Sequence, residues 1–161
     1  MEPSMIDATL EAIRKALEAN HIEEAISALT DLHPVDRAEA FADLNDQDQA
    51  VILPQLSIND TADLLEELDD EEAADVAETL STSDLADILD AMEPDEAADV
   101  LGDLPPRFAA DALAEMEESK DVIPLLGFHD ETAGGLMTTH LFTLAPEITA
   151  AEAIAYLRRT T

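Results

Sequence analysis

The chain has 161 residues, no cysteine, and 39 acidic against seven basic side chains, for a formal net charge of −32. That balance opposes binding to DNA, RNA or anionic lipid, where phosphate contacts need lysine and arginine. The missing thiols exclude disulfides, thiolate catalysis and thiolate metal sites, and they fit a cytosolic setting. No apolar run approaches the ~18 residues of a membrane span, and the N-terminus lacks the apolar core of a signal peptide. Acidity on this scale can signal disorder. Here, however, hydrophobic residues make up 47% of the chain and recur at fixed positions, so a folded domain is expected.

Met5 to Glu18 reads as an amphipathic helix with Ile6, Leu10, Ile13 and Leu17 on one face. Asn20 and Glu23 are placed to cap a second helix running toward Leu32. A 12-residue repeat then takes over, marked by Leu32, Leu44, Leu56, Leu68, Leu80, Met92, Leu104 and Met116. Ala38, Ala50, Ala62, Ala74, Ala86, Ala98 and Ala110 keep the same beat six residues further on. The composition is helical, yet one continuous helix is excluded. At about 100° per residue, 12 residues leave a helix roughly 120° out of phase, so the marked positions would spiral around the rod. Each repeat must be a short helix that stops and restarts.

The restarts carry capping chemistry. His33, Asn45, Ser57, Asp69, Ser81 and Glu93 stand at the helix starts. Asp36, Asp48, Asp60, Glu72, Asp84 and Glu96 follow three positions later, as the reciprocal half of a capping box. Pro34, Pro94 and Pro106 fit the first helical position, where a missing N–H costs nothing. Helices of about nine or ten residues, roughly 14 Å long, are too short to stand alone. Stacking buries their apolar stripes, as in solenoid proteins. The fold expected for residues 1–130 is an all-α superhelix of short helices.

Glu117 to Asp130 loses the beat and reads as a connector. Beyond it, Thr132 to Thr138 is turn-rich, His140 to Leu144 is strand-like, and Thr149 caps a closing helix through Arg159. Residues 131–161 are too few for an independent core, so they read as the truncated beginning of a second, α/β domain.

Chemistry concentrates in the carboxylates. From Ala38 to Pro106 the chain has 22 of them and neither lysine nor arginine. Seven positions into the repeats stand Glu39, Asp63, Asp75, Asp87, Asp99 and Asp111, a row broken only by Val51. Equivalent positions on a stack are expected to line up as a ridge. Asp63 with Glu67, Asp95 with Asp99, Asp99 with Asp103 and Asp111 with Glu115 are like charges four apart, each costing a few tenths of a kcal/mol when exposed. A divalent cation relieves that repulsion, and all-oxygen surroundings select Mg²⁺ or Ca²⁺. Taken singly, each of these acids is better explained as part of a solvated helix face; the absence of any lysine or arginine across the 69 positions shifts the balance for the row as a whole.

Other motifs fail. Asp43 to Gln47 alternates possible ligands, but Asp48 and Pro54 stand where a calcium loop needs glycine and a bidentate glutamate. His21, His33, His129 and His140 lack metal spacing, and Gly134-Gly135 lacks the lysine of a phosphate loop. No nucleophile elbow is present. The sequence gives no support for an enzyme.

The repeats Leu32-His-Pro-Val-Asp-Arg-Ala38 and Met92-Glu-Pro-Asp-Glu-Ala-Ala-Asp-Val-Leu-Gly-Asp-Leu104 resemble the cytosolic N domain of the MgtE family of magnesium transporters and channels. Glu131-Thr-Ala-Gly-Gly-Leu-Met-Thr138 resembles that family's passage into its first CBS (cystathionine-β-synthase) domain. The resemblance implies a right-handed superhelix followed by an incomplete CBS domain. It also implies a soluble part of a homodimeric, multi-pass protein at the cytoplasmic face of the cell membrane. In that family Mg²⁺ bridges the N domain, the CBS pair and the helix leading to the pore, and so closes the pore. Carried over by this resemblance, the N-domain ligand positions fall on Asp63, Asp95 and Asp99. Unlike many family members, this chain has no basic residue among its central repeats. The alternative expectation is a protein-interaction scaffold for a basic partner, since flagellar-motor switch proteins carry a similar-looking helical module.

Overall fold

A computed structural model describes residues 5–128, 132–134, 136–138 and 143–160. Among these the chain is all helix: α1 (Met5–Glu18), α2 (Ile22–Thr30), α3 (Pro34–Ala42), α4 (Asp46–Ile52), α5 (Ile58–Glu67), α6 (Asp70–Glu78), α7 (Thr82–Leu89), α8 (Pro94–Asp103), α9 (Pro106–Glu115), α10 (Ser119–Val122) and α11 (Ala150–Thr160). From α2 to α9 every helix starts 12 residues after the last. The period read from the sequence is therefore the helix-to-helix step.

The caps explain the restarts. Asn45, Ser57, Asp69 and Ser81 each accept the N–H of the residue three positions on. The reciprocal half is built differently from the expectation. Ser57 Oγ and Ser81 Oγ donate to Asp60 and Asp84 at 2.6 and 2.7 Å, and Asn45 Nδ2 donates to Asp48 at 2.7 Å. The longer Glu152 instead reaches back to the Thr149 N–H at 3.0 Å and completes a full box at the start of α11. His33 and Glu93 make no side-chain cap bond, and Pro34 and Pro94 open those helices. Asn20 does not cap α2. It sits at φ 59° and ends α1, where the N–H groups of His21 and Asn20 bond to Ala16 O and Leu17 O in a Schellman closure.

Packing follows two columns. α1, α3, α5, α7 and α9 stack in sequence, while α2 stacks on α4, and α6 on α8 and then α10. Structural equivalence therefore recurs every second repeat, and the acidic row divides between the columns instead of forming one ridge. The core runs along the seam. Leu44, Met92, Leu104 and Met116 are buried, and Leu32, Leu56, Leu68 and Leu80 pack against them. Buried Ala38, Ala62, Ala74, Ala86 and Ala98 let the short helices approach closely, but Ala50 and Ala110 of the same series remain exposed. α1 closes one end with Leu10 and Ile13. At the other end Val122 and Leu125 are buried, so the described part of the expected connector, through Phe128, forms part of the stack.

One junction is open. α4 ends early, at Ile52, in a 3₁₀ turn over Leu53–Gln55 that contains Pro54, and α4 makes no stacking contact with α6 comparable to the others. The strand expected over His140–Leu144 lies largely outside the described residues, and Thr143 and Leu144 are in neither helix nor strand. The ring of Phe128 lies where a Cβ on Gly134 would be placed, which explains a glycine there.

Candidate functional site

Two carboxylate groups flank α5. On one side, Arg37 of α3 is buried, an uncommon place for a cation in this chain. It donates to Thr30 O at the end of α2 and to Asp60 Oδ1 at the start of α5, both at 3.1 Å, with Asp63 Oδ2 at 3.8 Å. The guanidinium thus meets a helix C-terminus and an acid in a first turn, each favourable for its sign. In the sequence Arg37 stands only as one residue of the Leu32-to-Ala38 repeat, with no role assigned to it. The available signal was its position, immediately ahead of 69 residues without a cation.

On the other side, the end of α5 meets the start of α8. Glu66 Oε1 accepts the Glu93 N–H at 2.9 Å. Partial burial pushes the Glu66 carboxyl above its usual range, against that hydrogen bond, and the charges of Asp63, Glu93 and Glu67 push the same way. Glu96, one turn into α8, is raised by desolvation first and then by Asp95, Asp99, Glu66 and Glu67. Asp95 Oδ1 is enclosed with no hydrogen-bond partner among the described residues. Glu93 Oε2 also accepts Thr138 Oγ1 at 3.4 Å, tying the cluster to the segment that follows α10.

The expected ligand positions are therefore divided. Asp95 and Asp99 stand together on α8, on either side of Glu96, and both are half-buried. Asp63 belongs to the other column. It is coupled to the cluster through Glu66, but its carboxylate also lies beside Arg37. Among the described residues no three acids or histidines converge as a group that could hold a metal ion. The arrangement offers one or two carboxylates at a time, the share that Mg²⁺ takes when it keeps most of its waters.

Residues 32–131 match the MgtE intracellular N domain, and the chain belongs to that family. The fold agrees with the crystal structure of the soluble part of a magnesium transporter, at TM-score 0.82 and 24% identity over 96% of this chain. It also agrees with the cytosolic domain of the Mg²⁺ channel MgtE in complex with ATP, at TM-score 0.79 and 25% identity over 93% of this chain. The alignments span 62% of each of those chains. No curated protein matches the sequence. Among the described residues, no helix is long and apolar enough to cross a membrane.

Proposed function

We propose that this domain senses Mg²⁺ for a magnesium transporter or channel, with Asp95, Asp99 and Asp63 as ligand positions. The observation that carries the reading is the α5–α8 cluster. Glu66 and Glu96 are both held above the ordinary carboxylate range among five further acids, and Asp95 Oδ1 has no hydrogen-bond partner among the described residues. A hydrated divalent ion beside Asp95 and Asp99 would neutralise part of the negative charge gathered there. Affinity for this domain alone is modest, because Mg²⁺ keeps its waters and the face is open. Further ligands come from a CBS domain beginning near residue 131. In the whole homodimeric protein, bound Mg²⁺ holds the superhelix against the CBS domains and closes the pore at the cytoplasmic face of the membrane. Loss of Mg²⁺ lets the carboxylates repel and separates them. The domain regulates and does not catalyse.

The test is a Mg²⁺ titration followed by backbone amide NMR, against NaCl at matched ionic strength. Saturable shifts centred on Asp95 and Asp99, reaching Asp63 and Glu66, are expected. Asp95→Asn and Asp99→Asn should each weaken the midpoint about tenfold, the equivalent of ~1.4 kcal/mol, with the fold unchanged by circular dichroism. Shifts that NaCl reproduces, or titrations unaltered in both variants, would remove these residues from the ligand set.

A further inference from the structure

The open junction between α4 and α6 has a shape and a charge of its own. Because α4 stops early, two adjoining clefts of about 440 and 330 Å³ flank the 3₁₀ turn and share Leu53 and Thr79. Apolar side chains line part of each wall, Ala50 and Leu68 in one cleft and Pro54, Leu56 and Ile58 in the other, beside the polar Gln49, Thr61, Thr79 and Ser81. Ile58 is 48% exposed. Every charged residue lining the two clefts is acidic: Asp46, Glu72 and Asp75 border the first, Asp84 and Asp87 the second. Burial pushes the Glu72 carboxyl upward, followed by the charges of Asp69, Asp43 and Glu71, so the rim is electrostatically crowded. No lysine or arginine lies between Ala38 and Pro106 in sequence; Arg14 of α1 comes near, donating to the Asp43 carbonyl at 2.6 Å, and it does not line either cleft.

We infer that this trough is a docking site for an amphipathic helix of a partner protein, apolar on one face and flanked by lysine or arginine. The apolar parts of the walls favour side chains at helical spacing, as in other helix-in-groove complexes. The unbalanced acidic rim selects the sign of the charges beside them. A helix fits better than a strand, because the described residues present no sheet edge to extend. A helix seated here would also take the stacking place that α4 leaves open beside α6. The trough lies on α3 to α7 and does not include Asp95 or Asp99, so it stands independently of the Mg²⁺ site.

A synthetic amphipathic helix of leucine and lysine, fluorescently labelled, is the probe. A peptide of the same composition in scrambled order is the control. The 161-residue chain should bind the amphipathic peptide saturably, with amide shifts at Ala50, Val76 and Thr79, and bind the scrambled one at least about tenfold more weakly. Ala50 is exposed on the trough, so Ala50→Phe fills it without disturbing the core and should weaken binding about tenfold. Glu72→Gln combined with Asp75→Asn should weaken it by a similar factor and flatten its salt dependence. Asp99→Asn should leave it unchanged, which separates this result from the fate of the Mg²⁺ reading. Equal binding of both peptides, indifference to Ala50→Phe, or no binding would each overturn the proposal. Concentration-dependent self-association that Ala50→Phe abolishes would assign the trough to a second copy and overturn it as well.

Discussion

Two levels of the superhelix are tied together by opposite chemistry. At α3, a buried arginine joins the end of α2 to the start of α5 through Thr30 O and Asp60. Further along, carboxylates do the joining: Glu66 accepts the Glu93 N–H, and Asp90 accepts the N–H groups of Glu117 and Glu118 at 2.7 and 3.0 Å. Glu66 and Asp90 are equivalent residues two repeats apart, and each reaches 27 residues ahead in sequence. The first tie carries its own counter-charge. The second pairs an anion with neutral amides, which bring no positive charge of their own. The guanidinium makes the tie between Thr30 O and Asp60 insensitive to free ions, whereas the carboxylate ties stay responsive to them.

Removing the cation from the first junction should have the largest effect. Arg37→Met strands Thr30 O and leaves Asp60 and Asp63 facing each other. A fully buried pair broken this way costs about 3–5 kcal/mol. Because the side chains of Asp60 and Asp63 are 33% and 50% exposed, a loss of roughly 2–3 kcal/mol is expected in urea denaturation. The same variant should gain Mg²⁺-dependent stability, since Asp63 is released. A loss below about 0.5 kcal/mol would put this tie among ordinary surface pairs and erase the contrast.

The carboxylate ties should be weaker and more local. Asp90→Ala removes two charge-assisted bonds at an exposed site, for a loss of roughly 1–2 kcal/mol. Amide exchange at Glu117 and Glu118 should accelerate while that of Glu93 does not. Acceleration along the whole chain would show that the junctions are not separate.

Acidity sharpens the same distinction with the smallest effect. Glu66, Glu96 and Glu72 have raised values in the fold, so between the ordinary 4.5 and those values the native state holds more protons than the unfolded chain. Stability then falls as pH rises through that window and is greatest at its lower end. The thermal midpoint should therefore rise as pH is lowered from neutrality toward 4.5, the reverse of common acid denaturation. Glu66→Gln with Glu96→Gln should remove most of that slope. Glu152 runs the other way: hydrogen bonds from the Thr149 hydroxyl and N–H lower its value, so the cap of α11 is lost only as pH falls through that lowered value.

Periodicity exposed the repeat because it is a local constraint. Every helix must begin within a few residues of a cap, so Asn45, Ser57, Asp69 and Ser81 betray the starts one by one. Column packing is not local. Whether Asp63 and Asp99 share a face depends on which helices stack, and the sequence spacing of 36 residues is the same for one ridge or for two columns. Arg37 escaped for the same reason, since its partners lie 7 and 23 residues away. The early end of α4 was half legible. Val51 interrupts the acidic row and Pro54 falls inside the repeat, yet only the packing of α6 turns that irregularity into a trough. The close pairing of Asp95 and Asp99 was fully legible, being one helical turn.

The alternation of helices between two columns also sets the unit in which such a chain can change length. Loss or gain of two adjacent helices, 24 residues, would shorten or extend the stack and leave each remaining helix in its own column. Loss of a single 12-residue repeat between α5 and α8 would instead transfer every later helix to the opposite side. Asp95 and Asp99 would then stand over the column that now carries Asp87, and the Glu66-to-Glu93 tie would have no partner within reach. Insertions and deletions in this architecture are counted in pairs.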